Sequence, residues 1–202
     1  KIIIKKICKT HFFEFFLLLF LYMNVIKMCS FKFCISHKEN KKDYNEVYNV
    51  IKTAFATAEH SDGNEQDLVV NLRKSNNFVP ELSLVAIEDN KIVGYILFTK
   101  IKIGEYEELA LAPLGILPKY QKQGIGRKLI EKGHKIAKKL GYHYSIVLGS
   151  ENYYSKTGYI PASQYGIKAP FEVPNENFMA IKLNDTDAEI AGTVEYAKEF
   201  GI

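Results

Sequence analysis

The stretch PKYQKQGIGRKL, residues 118–129, places two glycines one residue apart at the start of a basic, amphipathic segment. A glycine at the start of a helix removes the side chain that would otherwise separate the first backbone N–H groups from an incoming ligand. Those N–H groups carry the positive end of the helix dipole, so they favour an anion such as a phosphate. The stretch therefore predicts an anion-binding loop that leads into a helix.

The helix that follows this loop is predicted from the spacing of its apolar residues. Its inner face is expected to consist of Ile125, Leu129, Ile136, Ala137 and Leu140. Gly133 provides a small position on the same face, and Gly141 supplies a C-terminal stop. This pattern predicts a helix that packs its apolar face against a sheet.

The pattern of apolar residues in the rest of residues 31–202 predicts a mixed α/β domain. Residues 31–36 are an expected first strand, two helical segments follow, and residues 82–103 predict a hairpin that turns at Asp89 and Asn90. Further strands are expected at 107–117, 141–150 and 177–183. The predicted order is β-α-α-β-β-β-α-β-α-β, built on one sheet.

Length and charge limit the possible function classes. The 202 residues, 47% of them hydrophobic and 25% charged, suit one globular domain. The net charge of +4 comes from residues 1–42, which hold nine Lys and two acidic residues, so the remainder carries −3. A nucleic-acid binder needs a basic face on its folded body, so we expect no DNA partner.

The positions of the cysteines argue against a disulfide scaffold or a thiolate metal site after residue 35. Cys8, Cys29 and Cys34 all precede residue 35. The chain also lacks the His-x-Glu, paired-His and Cys-x-x-Cys spacings typical of metal enzymes. We expect no metal and a cytoplasmic location, where thiols stay reduced. No feature of the sequence predicts an oligomeric state.

Residues 1–30 differ from everything after them. Their unbroken apolar run, residues 15–23, has nine residues, whereas a helix needs about 20 to span a bilayer. Three interpretations stay open: translated upstream sequence with the start at Met23 or Met28, a signal or membrane anchor, and a packed helix. We expect this hydrophobic extension to lie outside the fold, with the domain at 31–202 and a membrane partner disfavoured.

Two common phosphate-binding motifs fail at the glycine pair. A dinucleotide fingerprint, G-x-G-x-x-G, would need glycine where Leu129 stands. A Walker loop would need a glycine five residues before Gly126. What remains is Q-x-x-G-x-G-R, from Gln121 to Arg127, after a strand and before a basic helix.

These residues resemble the pyrophosphate loop of the GNAT superfamily of N-acetyltransferases. The resemblance runs from about residue 31 to residue 183, and residues 111–126 and 147–159 look most like the YhbS-like bacterial branch. It implies a single mixed, mostly antiparallel central sheet flanked by helices, and acetyl-CoA as co-substrate. The implied activity is direct transfer of the acetyl group to a primary amine in a ternary complex. The alternative is a non-catalytic acyl-CoA sensor or interaction module on the same fold.

The resemblance also implies site residues. Its cofactor-binding positions are Leu114, Gly115 and Ile116, beside the pantetheine arm, and Gln121, Lys122, Gln123, Gly124, Ile125, Gly126 and Arg127, around the pyrophosphate. Tyr154, in Y-x-K-x-G-Y, matches the tyrosine that protonates the departing CoA thiolate in many members. Pro113 and Gly115 independently predict broken or bulged pairing in the same strand, which exposes backbone for an amide chain.

The general base and the acceptor are less well defined. Glu108, together with Glu107, opens strand four and is the candidate base, although the register differs from the family's and ordered water is an alternative. His134 and His143 are expected at the surface.

The acceptor side is expected at two segments. Residues 58–67 carry Glu59, Asp62, Glu65 and Asp67, and residues 167–178 provide a possible second wall. Acidic residues there favour a cationic amine. Polyamine, amino-sugar, protein N-terminal and aminoacyl-tRNA acceptors all stay open, so the expected partner is a small-molecule or peptide amine.

Overall fold

A mixed β-sheet organises the part of the chain that the computed structural model describes, residues 35–56, 61 and 63–202. The predictions for residues 1–34, Glu59 and Asp62 lie outside these residues. The helices are α1 Tyr44–Phe55, α2 Glu65–Leu72, α3 Ile125–Lys139 and the one-turn α4 Glu151–Tyr154. The strands are β1 Ile35–Lys38, β2 Phe78–Glu88, β3 Lys91–Ile103, β4 Tyr106–Ile116, β5 Tyr144–Leu148, β6 Ile160–Pro161, β7 Ile167–Lys168, β8 Phe178–Lys182 and β9 Gly192–Glu195.

The sheet runs in the order β1-β2-β3-β4-β5-β8-β6, and β9 joins the far end of β3. Strand β7 pairs in parallel with β9. The neighbours in the main order are antiparallel except for β4 and β5, which are parallel. Parallel neighbours need a long crossover, and α3 provides it. The predicted mixed, mostly antiparallel sheet flanked by helices is confirmed.

The predicted hairpin is also confirmed, with Glu88 opposite Lys91. Asp89 and Asn90 both have positive φ, 49° and 60°. A two-residue turn of this kind matches the twist of the strands only when both central residues are left-handed, which Asp and Asn tolerate best.

The two faces of the sheet carry different layers. On one face α3 packs on alternate residues of the central strands, including Ile96, Phe98 and Leu109. On the other face α1 and α2 cover Tyr95 and Leu97. The C-terminal segments from Ala162 to Val194 cover the rest of this second face, from the last residues of β3 to β5. The second face is therefore shared by two separate layers.

One detail of the predicted helix was wrong. Leu140 lies past the end of α3 and is 47% exposed, while Ile130 is buried in its place. Gly133 fits as predicted, since a Cβ there would lie 2.3 Å from Phe98 Cε2. Only glycine allows the helix to approach the sheet this closely.

Strand β4 changes its pairing along its length, as Pro113 predicted. Ile96 pairs with Leu114 and Phe98 with Leu111, so two β4 residues oppose one β3 residue, which is a β-bulge. Among the described strands, β5 pairs with β4 only at Leu109 and Ala110. From Leu111 to Ile116 the β5 side of β4 is therefore open.

Candidate active site

A cleft of about 670 Å³ lies at this open end of β4. Its walls come from β4, from the loop before α3 and from the segment that follows β5. The lining residues are Leu114, Ile116, Tyr120, Gln121, Lys122, Gly124, Ile125, Gly126, Arg127, Ser150, Tyr153, Tyr154, Lys156 and Thr157. Segments that are distant in the sequence thus meet where strand pairing stops.

The loop before α3 presents backbone N–H groups to the cleft. The first hydrogen bond of the helix runs from Lys128 N to Gly124 O, at 3.1 Å. The N–H groups of residues 125–127 precede that bond and point out of the helix end. Gln121 fixes the loop to β4, because its Nε2 donates to Ile116 O at 3.0 Å. This geometry suits an anion.

The two glycines of the loop serve different purposes. Gly124 is the N-cap of α3 and has φ 81°, a left-handed conformation, although a Cβ there would contact nothing within 4 Å. Gly126 has an ordinary helical conformation and is buried. A Cβ on it would lie 2.3 Å from the Tyr153 hydroxyl. Gly124 therefore sets the turn, and Gly126 allows a close approach.

Cationic side chains surround the same end of the cleft. Lys122, Arg127 and Lys156 all line it. Arg127 is held in place by Glu131, whose Oε1 lies 2.8 Å from Arg127 Nε. No acidic residue lines the cleft within the described part of the chain. The positive charge reinforces the preference of the loop for an anion.

Tyr154 lies in the cleft between apolar surfaces. Its ring packs on Gly149, where a Cβ would lie 2.5 Å from Tyr154 Cε2, and meets the ring of Tyr159 edge-on at 5.7 Å. Burial raises the pKa of the Tyr154 phenol well above its usual value of 10. Tyr154 therefore keeps its proton at neutral pH, as a proton donor must before the reaction begins.

The structure brings most of the predicted cofactor residues together, but two of them face elsewhere. Gly115 packs against α1, since a Cβ there would lie 2.7 Å from Ile51 Cδ1. Gln123 donates from Nε2 to Lys119 O at 3.0 Å and does not line the cleft. A backbone contact from either residue stays a prediction.

Glu108 lies at the other end of β4 and is fully buried. Its carboxylate accepts hydrogen bonds from the N–H groups of His143 at 2.8 Å and Tyr144 at 2.7 Å, and contacts His143 Nδ1 at 3.0 Å. Glu108 and Leu114 are six positions apart, and this spacing corresponds to about 20 Å along a strand. A role as general base stays a prediction, whereas these contacts anchor the start of β5. Glu107 instead forms an exposed pair with Lys100.

The expectation that His134 lies at the surface was wrong. His134 is partly buried on α3, and its Nε2 lies 3.0 Å from the Tyr159 hydroxyl. That hydroxyl also contacts Ser145 Oγ at 2.8 Å. Burial lowers the pKa of His134 to about 4, so the imidazole is neutral at pH 7.

Several residues that line the cleft were not predicted as site residues. They are Tyr120, Ser150, Tyr153, Lys156 and Thr157. Four of them flank Tyr154 in the sequence, so a wider window around the Y-x-K-x-G-Y motif could have found them. Tyr120 ends the single 3₁₀ turn Pro118–Tyr120 and directly precedes the Q-x-x-G-x-G-R motif, so a wider window around that motif could have found it as well.

The expected acceptor walls are described in part. Asp67 accepts a hydrogen bond from the Tyr48 hydroxyl at 3.1 Å, so it joins α1 to α2. Residues 163–178 enclose a separate cavity of about 330 Å³ with Phe171 and Phe178 in its wall. Phe178 pairs with Leu148, the last residue of β5. This cavity therefore lies next to the end of β5, where β4 and β5 separate.

A neutral phenol, the open edge of β4 and a loop suited to an anion form the combination expected of an acyltransferase with a phosphorylated acyl donor. The model of the Acetyltransferase (GNAT) family matches residues 44–159. The N-acetyltransferases YjhQ and YhbS of Escherichia coli (strain K12) are similar to the chain. YjhQ is 35% identical over 70% of this chain and 78% of its own length, and YhbS is 29% identical over 67% and 83%. This chain belongs to the GNAT family of acetyltransferases, which use acetyl-CoA as co-substrate.

Two crystal structures agree with this fold. The structure of YhbS from Escherichia coli in complex with CoA has a TM-score of 0.75 and 25% identity, and the match covers 84% of this chain and 92% of that one. The GNAT acetyltransferase of Brucella melitensis in complex with acetyl-CoA has a TM-score of 0.69 and 28% identity, covering 84% and 99%.

Two kinds of feature are absent from the residues that the structure describes. In that part of the chain no helix has the length and apolar character needed to cross a membrane. The same residues contain no group of three or more His, Cys, Asp or Glu side chains that could hold a metal ion.

Proposed function

We propose that this protein transfers the acetyl group of acetyl-CoA directly to a primary amine while both are bound. The observation that carries the proposal is the cleft, which combines the open edge of β4, the anion loop of α3 and the phenol of Tyr154. Each of these three features matches one part of the donor: its amide chain, its pyrophosphate and its sulfur.

The donor would lie along β4 with its pyrophosphate at α3. The open β5 side of residues 111–116 can pair with the amides of a pantetheine arm, as an added strand would. The N–H groups of residues 125–127 and the side chains of Lys122 and Arg127 would hold the pyrophosphate. Binding of the pyrophosphate and of the arm together fixes the position of the thioester at the far end of the arm.

The chemistry then needs one proton at the sulfur. Acetyl-CoA supplies a thioester, and in the transfer a C–N bond forms to the amine as the C–S bond breaks. Tyr154 donates its hydroxyl proton to the departing sulfur and regains a proton from solvent. Its raised pKa means that the phenol is protonated before each turnover.

The amine would approach from the second face of the sheet, where β4 and β5 separate. The cavity formed by residues 163–178 adjoins this point and provides a wall for the acceptor. Because Glu108 is buried and bonded to backbone, we favour loss of the amine proton to ordered water. A cytoplasmic location completes the proposal.

Calorimetry of the protein with acetyl-CoA tests the binding step, and a thiol assay with an amine panel tests the transfer. We expect 1:1 binding, release of free CoA thiol with at least one amine, and an acetylated product of the matching mass. Failure to bind acetyl-CoA at millimolar concentration would contradict the proposal.

A second candidate is a non-catalytic acyl-CoA sensor. It is favoured because the carboxylate of Glu108, the candidate base, is already hydrogen-bonded to the backbone N–H groups of His143 and Tyr144. It predicts binding as tight as that of an enzyme but no thiol release across polyamine, amino-sugar and peptide acceptors. Product formation with any amine that depends on Tyr154 excludes it.

A further inference from the structure

Tyr153 stands closer to the anion loop than its neighbour Tyr154 does. The two rings are perpendicular, at 89°, with centroids 5.0 Å apart. A Cβ on Gly126 would lie only 2.3 Å from the Tyr153 hydroxyl, whereas the ring of Tyr154 packs on Gly149 instead. Adjacent tyrosines of the one-turn helix α4 thus reach two different parts of the cleft.

We propose that the Tyr153 hydroxyl is a ligand of acetyl-CoA and donates a hydrogen bond to the pyrophosphate at the start of α3. The proposal rests on the proposed function, because it assumes that acetyl-CoA occupies this cleft. It divides the tyrosine pair into a binding residue, Tyr153, and a proton donor, Tyr154.

Three features of Tyr153 support the assignment. Its hydroxyl lies against Gly126, the second residue of α3, among the N–H groups that precede the first helical bond. It lines the cleft and is 40% exposed, so a ligand can reach it. A phenol O–H bonded to a charged phosphate oxygen forms a strong, charge-assisted bond. Desolvation raises the pKa of Tyr153, so the donor hydrogen is retained at neutral pH.

The proximity of Tyr153 to Gly126 also explains why the loop has a second glycine. Gly126 does not need a left-handed conformation, so backbone geometry alone would allow alanine there. A methyl group would instead occupy the position against which the Tyr153 hydroxyl lies. We therefore infer that glycine at 126 keeps the backbone and the phenol close enough to hold one anion between them.

A comparison of two acetyl donors distinguishes a contact between Tyr153 and the pyrophosphate from any other role of Tyr153. Acetyl-CoA carries the pyrophosphate, whereas S-acetylpantetheine has the same thioester and arm without it. For Tyr153→Phe we expect the Kd of acetyl-CoA to rise about 10- to 100-fold, as for loss of one bond to a charged group. With the same amine, kcat and the KM for S-acetylpantetheine should stay within twofold of wild type.

Tyr106→Phe is the matched control, since Tyr106 is 39% exposed but lies at the start of β4. This substitution should change neither the Kd of acetyl-CoA nor the kinetic constants with S-acetylpantetheine. Equal losses with both donors for Tyr153→Phe would overturn the pyrophosphate contact, and so would an unchanged Kd for acetyl-CoA. If wild-type protein itself fails to bind acetyl-CoA, the proposed function fails first, which is a different result.

Discussion

The two ends of strand β4 have opposite surroundings. At the first end, Leu109 and Ala110 pair with β5, and the neighbouring Glu108 carboxylate holds the first N–H groups of that strand. At the second end, β4 bulges at Pro113 and runs on to Ile116 without β5 beside it. The same strand is thus closed at one end and open at the other.

This difference separates stability from function. At the closed end the Glu108 carboxylate and the N–H groups that it binds are satisfied within the protein, so loss of Glu108 should lower the free energy of unfolding. Polar groups at the open end face a cleft, so their loss should weaken a ligand or slow a reaction. Substitutions at the closed end should therefore change the free energy of unfolding, and substitutions at the open end should change ligand binding or turnover.

Tyr154→Phe, at the open end, should have the largest effect. Loss of the proton donor is expected to lower kcat by roughly 10² to 10⁴, the range for a positioned acid or base, with the Kd of acetyl-CoA within about twofold. Steady-state kinetics with an identified amine and calorimetry measure the two quantities. Tyr153→Phe is the matched variant and should show the reverse pattern. A lower melting temperature with kcat unchanged would make Tyr154 a packing residue only.

Glu108→Ala, at the closed end, should mainly destabilise the protein. It leaves the buried N–H groups of His143 and Tyr144 without their acceptor, at a cost of about 3 kcal/mol. Denaturant unfolding would measure this loss, and Glu107→Ala, which breaks only an exposed ion pair, should cost less than about 1 kcal/mol. If Glu108→Ala keeps its stability but loses kcat a hundredfold, Glu108 is a base after all.

His134, which reaches the closed half of β5 through Tyr159 and Ser145, should make stability depend on pH. Its pKa is lowered from 6.5 to about 4 in the folded protein, so the unfolded chain binds the proton more readily. The contribution of neutral His134 to the free energy of unfolding is present above pH 6.5. As the pH falls toward 4, about 2–3 kcal/mol of this free energy is lost. His134→Gln, which keeps a polar partner for Tyr159, should flatten the unfolding free energy over this range. An unchanged pH slope would exclude His134 as the cause.

Gly126→Val, at the open end, should have the smallest effect in free energy. Its Cβ would lie against the Tyr153 hydroxyl and its branches where the anion meets the backbone. We expect acetyl-CoA affinity to fall at least tenfold, about 1.4 kcal/mol, with the fold retained. Calorimetry gives the Kd and circular dichroism monitors the fold. Unchanged affinity would place the donor elsewhere.

Local features of the site could be predicted from the sequence. The anion loop was predictable because glycines at a helix start act through their own backbone. The bulge at Pro113 was predictable because proline removes a donor from the strand that contains it. The Asp89 and Asn90 turn followed from the same kind of local preference.

Features that depend on distant residues could not be predicted in this way. Glu108 binds backbone groups 35 and 36 positions away, and His134 meets Tyr159 through the packing of α3 on the sheet. The contact of Tyr153 with Gly126 likewise joins two segments that only the fold brings together. Strands β6, β7 and β9 have two to four residues each, too few to show a periodic pattern.

Hydrogen exchange along β4, measured with and without acetyl-CoA, would show directly which end of the strand binds the donor. We expect saturating acetyl-CoA to slow exchange of backbone amides in residues 111–117 and 124–128, where the donor would pair with the strand and the loop. Residues 106–110 should exchange at the same rate in both samples, because none of them lines the cleft. Protection of residues 106–110 alone, or no change in 111–117 and 124–128 at saturation, would contradict the assignment of the open end as the acetyl-CoA site.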